Sequence, residues 1–210
     1  LEKRLDYFVK KGCKIADYGF DFIDEGDENL AWLIENCYKR KMILQLHFGT
    51  FRNVNARMYE RCGKDSGFDI MRGAIDTDKL AKILDRENAR LGGLPKIVVY
   101  PLNDYDLRAL GALTGAFPQV KLGAAWWFND TVNGIKRQLE TAAEYSALGT
   151  QYGMLTDSRS FSSYVRFDFY RRILSSFIGE RVENGEYDES AAIALARKIA
   201  YENIKAALLI

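Results

Sequence analysis

His47 is the chain's single histidine and closes an apolar, β-favouring run, Met42-Ile43-Leu44-Gln45-Leu46. At a strand end an imidazole can ligate a metal, donate to a substrate, or act as acid and base. The blander role is a satisfied structural histidine. Asp157 sits in Leu155-Thr156-Asp157-Ser158-Arg159-Ser160-Phe161. Its carboxylate can be a base or a metal ligand. Arg159, two residues on, is a fixed cation for an oxyanion or a substrate carboxylate. The competing role for Asp157 is N-cap of a helix starting at Phe161, a task Ser160 can perform alone. Trp126-Trp127-Phe128-Asn129-Asp130 places indole faces beside amides, a combination suited to a sugar ring; core packing is the alternative for at least one indole. Arg52, Asn53, Asn55 and Arg57 follow His47 closely. Guanidinium geometry suits an anionic substrate, and a solvated basic loop is the alternative.

Other chemistries are missing from the sequence. There is no GxGxxG after a strand, no GxxxxGK[ST], no HExxH and no GxSxG elbow. Cys13, Cys37 and Cys62 form no CxxC pair. They read as packing residues of a protein in a reducing cytoplasm, not as a disulfide scaffold or zinc finger. Lys+Arg 30 against Asp+Glu 29 gives a net charge of +1, so no global basic footprint for nucleic acid exists. No apolar run is long enough to span a bilayer.

The elements that must carry these residues follow from periodicity. Helices are expected at Leu1–Lys11, Glu28–Lys41, Asp76–Leu91 (N-cap Thr77), Tyr105–Phe117 (cap Asn103 or Asp104), Thr131–Leu148, Phe161–Val182 and Ser190–Leu209. Strands are expected at Cys13–Asp17, Met42–Leu46, Ile97–Tyr100, Val120–Phe128 and Tyr152–Leu155. Gly49–Ala74 is a long polar loop, a length usually kept for function. Continuous apolar strands alternating with amphipathic helices mean a parallel sheet covered by helices. The carboxyl ends of parallel strands share one mouth. Asp17, His47, Asn103-Asp104, Trp127 and Asp157 all follow strand candidates, so they are expected to converge there.

Three blocks resemble the uronate isomerases in the same order: Leu44-Gln45-Leu46-His47-Phe48-Gly49 with Arg52-Asn53 and Gly67-Phe68-Asp69; Trp126-Trp127-Phe128-Asn129-Asp130; and Gly153-Met154-Leu155-Thr156-Asp157-Ser158-Arg159-Ser160-Phe161. Leu94-Pro95-Lys96 and Arg171-Arg172-Ile173-Leu174 also match, and the likeness runs from about Leu5 to the end. It implies the C-terminal portion, about five β/α units, of a (β/α)8 TIM-type barrel of the amidohydrolase superfamily with extra C-terminal helices. Residues 1–210 would be a single domain, a partial barrel. The implied reaction interconverts D-glucuronate and D-fructuronate, or D-galacturonate and D-tagaturonate, by proton transfer between C1 and C2. It also implies catalytic roles for Asp157, Arg159 and His47, and substrate contacts from Trp127, Arg52 and Asn129. A divalent metal, zinc by resemblance, would be held by Asp157. The expected partner is a hexuronate, with no nucleic acid or membrane, in a cytoplasmic homo-oligomer.

The chain departs from that pattern in three places. The first-strand His-x-His pair is absent. The connection from Phe20 to Met42 is short. Ala16-Asp17-Tyr18-Gly19 stands where the family reads Ser-Asp-His-Gly. A whole barrel needs eight strands and typically ~250 residues. The expectation is therefore a fragment with an incomplete metal site, inactive alone. Its alternative is a non-catalytic half-barrel that binds sugar acids or a partner chain. A different amidohydrolase-type hydrolase fits the barrel but not these blocks.

Overall fold

The computed structural model describes residues 1–24, 26–158 and 160–208. Its centre is a four-stranded parallel sheet of order β1-β2-β5-β6: Ile15–Phe20, Ile43–Phe48, Ile97–Pro101 and Val120–Leu122. The α/β class with a parallel sheet therefore stands as expected from the alternating pattern.

Period-two alternation gives the sheet two different faces. Leu44, Leu46 and Phe48 of β2, with Ile97 and Val99 of β5, enter a core with Leu30, Ile34 and Cys37 of α2 (Glu28–Arg40) and Leu80, Ile83 and Leu84 of α4 (Thr77–Leu91). Each fully buried Leu or Ile there contributes about 1.5–3 kcal/mol by leaving water. The opposite parity, Ile43, Val98 and Tyr100 with Ile15, forms a separate small cluster on the other face. Asp17, Gly19, Gln45 and His47 share that parity. Register sets Gly19 beside His47, and His47 beside Tyr100.

The helices start where local chemistry can satisfy their first amides. Asp27 caps α2 through Asn29 N and Leu30 N. Asp76, not Thr77, caps α4 by accepting from Lys79 N at 3.1 Å. Thr131 caps α6 (Val132–Tyr145) through Gly134 N. Leu107–Ala116 forms α5, and Asn103 Oδ1 accepts from Asp106 N just ahead of it. The long loop is folded. Thr50–Phe51 (β3) pairs antiparallel with Ile70–Met71 (β4), and Ala56–Cys62 (α3) lies between, capped by Asn55. Val165–Glu183 (α7), Glu189–Arg197 (α8), a wide turn at Lys198–Glu202 and Asn203–Leu208 (α9) complete the described chain; α7, α8 and the turn build a second apolar cluster with α6, while Ala207 and Leu208 of α9 pack on the Ile43–Val98–Tyr100 face.

Two strand expectations are corrected. Val120–Phe128 pairs only as far as Leu122. The Gly123 carbonyl accepts instead from Gln138 Nε2 of α6 at 3.0 Å, and Trp127–Asn129 turns as a short 3-10 segment. Tyr152–Leu155 joins no ladder among the described residues. The backbone just before it bonds elsewhere: Gly149 O and Gln151 O both accept from Asn203 Nδ2 at 2.8 Å. Its apolar side chains Tyr152 and Leu155 pack onto the Ile43–Val98–Tyr100 face without backbone pairing.

The cysteines divide by burial. Cys13 and Cys62 are exposed, whereas Cys37 is buried and burial pushes its thiol up to about 11. A thiol so placed is roughly a thousandth ionised at pH 8, and the thiolate is the nucleophile. Brief iodoacetamide treatment of the folded chain at pH 8 is expected to add two carbamidomethyl groups by intact mass, the third entering only in denaturant. Three rapid adducts on the native chain would contradict the packing of α2. Among the described residues, no helix is long and apolar enough to cross a membrane.

Candidate active site

β2 ends at Phe48, so His47 stands at the carboxyl edge of the sheet. Its Nδ1 lies 3.2 Å from the carboxylate of Asp17 on the neighbouring strand. With Nδ1–H donating to Asp17, Nε2 is the nitrogen left to exchange protons, giving one as imidazolium and taking one as imidazole. The ring also meets Trp126 edge-to-face, centroids 5.5 Å apart. Only a glycine fits opposite: a Cβ on Gly19 would lie 2.2 Å from His47 Nε2. Tyr100, which stands beside His47 in register, accepts a hydrogen bond from Gln45 Nε2 at 3.2 Å; burial pushes its phenol far above the ordinary range.

The loop after β2 delivers Arg52. Its guanidinium lies over the Trp127 ring, 5.0 Å from the centroid, within cation–π range. Asp69 holds its Nε at 3.2 Å, and Asp65 pairs with its Nη2. Asp69 Oδ1 also accepts from Asn53 N at 2.7 Å, tying the loop's two arms together. The Arg52 fork is thus aimed by two carboxylates, yet remains part-exposed at the cavity wall.

Trp127 and Asp157 both adopt left-handed backbone, with φ of 52° and 43°. For residues other than glycine this costs about 1–3 kcal/mol, and such strain gathers where a side chain must be held in one place. Asp157 is not the helix cap. Ser160 accepts from Ser162 N at the start of Phe161–Tyr164, so the Asp157 carboxylate is left for the cavity.

His47, Arg52, Trp127 and Asp157 line one cavity of about 590 Å³. A second cavity of about 310 Å³ shares His47, Trp126 and Asp157 and adds Asp17, Gln45 and Tyr100. The structure therefore brings together four of the residues singled out in the sequence. Arg159 lies outside the described residues. Asn129 is not brought in: it is buried, and its amide donates to Pro101 O at 3.4 Å. Tyr18 packs on the helix-covered face with Phe20 and Phe48, across the sheet from His47. Gln45, Asp69 and Tyr100 were given no site role in the sequence, and Asp65 was not singled out there. Parity with His47 was the available signal for Gln45, and the Gly67-Phe68-Asp69 block for Asp69; nothing local marks Asp65.

The metal implied by the resemblance lacks a donor set here. Among the described residues, no group of three His, Cys, Asp or Glu side chains can hold an ion. Asp157 brings a single carboxylate and His47 a single imidazole, short of what zinc or another divalent ion requires of protein ligands.

Fold and site together define an α/β protein with a small-molecule pocket at the carboxyl ends of its parallel strands, the usual place for such sites. The family model for glucuronate isomerase matches residues 26–208, and the chain belongs to that family. It is 35% identical to the uronate isomerase of Serratia proteamaculans over 242 residues, 98% of this chain and 51% of that protein. It is 37% identical to that of Staphylococcus haemolyticus over 247 residues, 97% of this chain and 52% of that one. Among solved structures, it matches the uronate isomerase of Thermotoga maritima with a TM-score of 0.90 at 27% identity, over 99% of this chain and 52% of that one. The glucuronate isomerase of Caulobacter crescentus gives 0.88 at 26%, over 99% and 49%. The chain thus spans about half the length of the curated relatives it matches.

Proposed function

We propose that this chain carries the C-terminal part of a (β/α)8-barrel hexuronate isomerase, residues 1–210 forming a single partial barrel. The substrates are D-glucuronate with D-fructuronate, and D-galacturonate with D-tagaturonate. The observation that carries this is one cavity in which a fixed guanidinium on an indole face stands with a carboxylate and an imidazole. Arg52 suits the sugar's carboxylate, since guanidinium matches its geometry. Trp127 offers a flat wall for the carbon chain. Asp157 takes the proton from C2 while His47, entering as imidazolium, gives its Nε2 proton to the aldehyde oxygen O1, forming a cis-enediol. Asp157 then delivers the proton to C1 as O2 returns its proton to His47, which leaves the ketose. Asp17 holds the imidazole in register for both transfers. Arg159 keeps the role that the resemblance implies, stabilising the enediol or holding the sugar acid. The metal has no step here, because its donors do not assemble.

The test is binding and turnover of D-glucuronate against D-glucose, which lacks the carboxylate. D-glucuronate is expected to quench the tryptophan fluorescence. Arg52→Ala is expected to weaken it by about 10- to 100-fold, a charged hydrogen bond's worth, with no change toward D-glucose. Equal affinities in parent and variant would remove Arg52 from the site. A sugar-acid binder without catalysis is the second reading, favoured by the missing donor set. Binding without ketose formation would select it.

A further inference from the structure

Arg166 stands at the start of α7 and lines the same cavity as Trp127 and Asp157. Its guanidinium is ion-paired with Asp130, whose side chain is 1% exposed. Neither Asp130 oxygen has a hydrogen-bond partner among the described residues. A carboxylate so buried demands a fixed countercharge, because desolvation strongly disfavours the lone anion.

The placement of the pair is informative. Asp130 directly follows the turn in which Trp127 is left-handed, and Arg166 follows the segment in which Asp157 is left-handed. Neither segment belongs to a strand, so no ladder fixes one against the other. Two strained turns from distant parts of the chain are thus joined across one ion pair, its carboxylate buried and its guanidinium part-exposed. Strained backbone persists only where its surroundings impose it.

We propose that the Asp130–Arg166 ion pair is a positioning element, setting the Trp127 turn against the Asp157 segment so that the cavity has its sugar-acid shape. Arg166 acts through those two residues and is not itself a catalytic group. The affinity arm of the test rests on the hexuronate reading; the spectroscopic arm does not.

Trp32 is the sole tryptophan outside the Trp126-Trp127 dipeptide, so a Trp32→Phe background leaves those two as reporters. In it, Arg166→Gln and Asp130→Asn are compared singly and together for melting temperature, acrylamide quenching and D-glucuronate affinity. Each single variant is expected to fold, to raise the quenching constant about two-fold, and to lose about ten-fold in affinity. The double variant, whose two amides pair without charge, is expected to recover both to within about three-fold. Single variants with parental quenching would overturn the proposal, as would a double variant that recovers neither quantity. If the singles do not fold, the double variant and Arg166→Lys decide by the same readouts. Failure of every variant to fold would make the pair a folding element and overturn it too. A parent that binds no D-glucuronate would instead defeat the hexuronate reading, and the quenching data alone would then judge the pair.

Discussion

In the complete enzyme, Asp157→Asn is expected to lower hexuronate turnover by roughly 10²- to 10⁴-fold, the usual weight of a positioned general base. The substitution is close to isosteric. It also suits the backbone, because asparagine tolerates the left-handed conformation that position 157 adopts, with φ of 43°. No cap is lost, since Ser160 performs that task. The fold should therefore survive, and far-UV circular dichroism and melting temperature should match the parent. Substrate affinity should hold or improve, because a negative group facing an anionic sugar is removed. The effect then falls on kcat, with KM unchanged or lower. Ketose formation followed by a coupled assay checks this. A variant within a few-fold of the parental rate would take Asp157 off the proton path.

Gly19→Ala is expected to cost about 1–3 kcal/mol of stability by overpacking and to depress turnover at least ten-fold. The cause is strand register. Gly19 is paired with His47, and an added Cβ would lie 2.2 Å from Nε2, 2.8 Å from Cε1 and 2.9 Å from Cδ2. Atoms cannot share that space. Either the imidazole swings off Asp17 or the β1–β2 ladder opens locally. Calorimetric melting together with turnover separates the outcomes. A variant that melts and turns over like the parent would show that His47 stands elsewhere in solution. Loss of stability with full turnover would show that the His47–Asp17 contact is structural.

The sequence by itself determined the local grammar. The short apolar runs at 43–46 and 97–100, each too brief for a helix and lying between helical patterns, read as strands of a covered parallel sheet. The amphipathic spacing of Leu30, Ile34 and Cys37, or of Leu80, Ile83 and Leu84, had to face a core. It also placed His47 at a strand end, since chain order alone sets which residue follows an apolar run. That it is this imidazole and not another followed from composition, since the chain has one histidine.

Tertiary structure decided who meets whom. Arg52 reaches the Trp127 face because Asp65 and Asp69, brought round by α3 and the β3–β4 hairpin, hold it there. Asp17 gained its role from the register between β1 and β2. Asn129, promising beside two indoles, was turned inward by the 3-10 turn to bond Pro101. Tyr152–Leu155 has strand-like residues and no ladder among the described residues, because pairing needs a strand edge brought alongside in register, which local sequence does not encode. Propensity and periodicity act over a few residues; contacts between positions 17 and 47, or 52 and 127, depend on how whole elements pack.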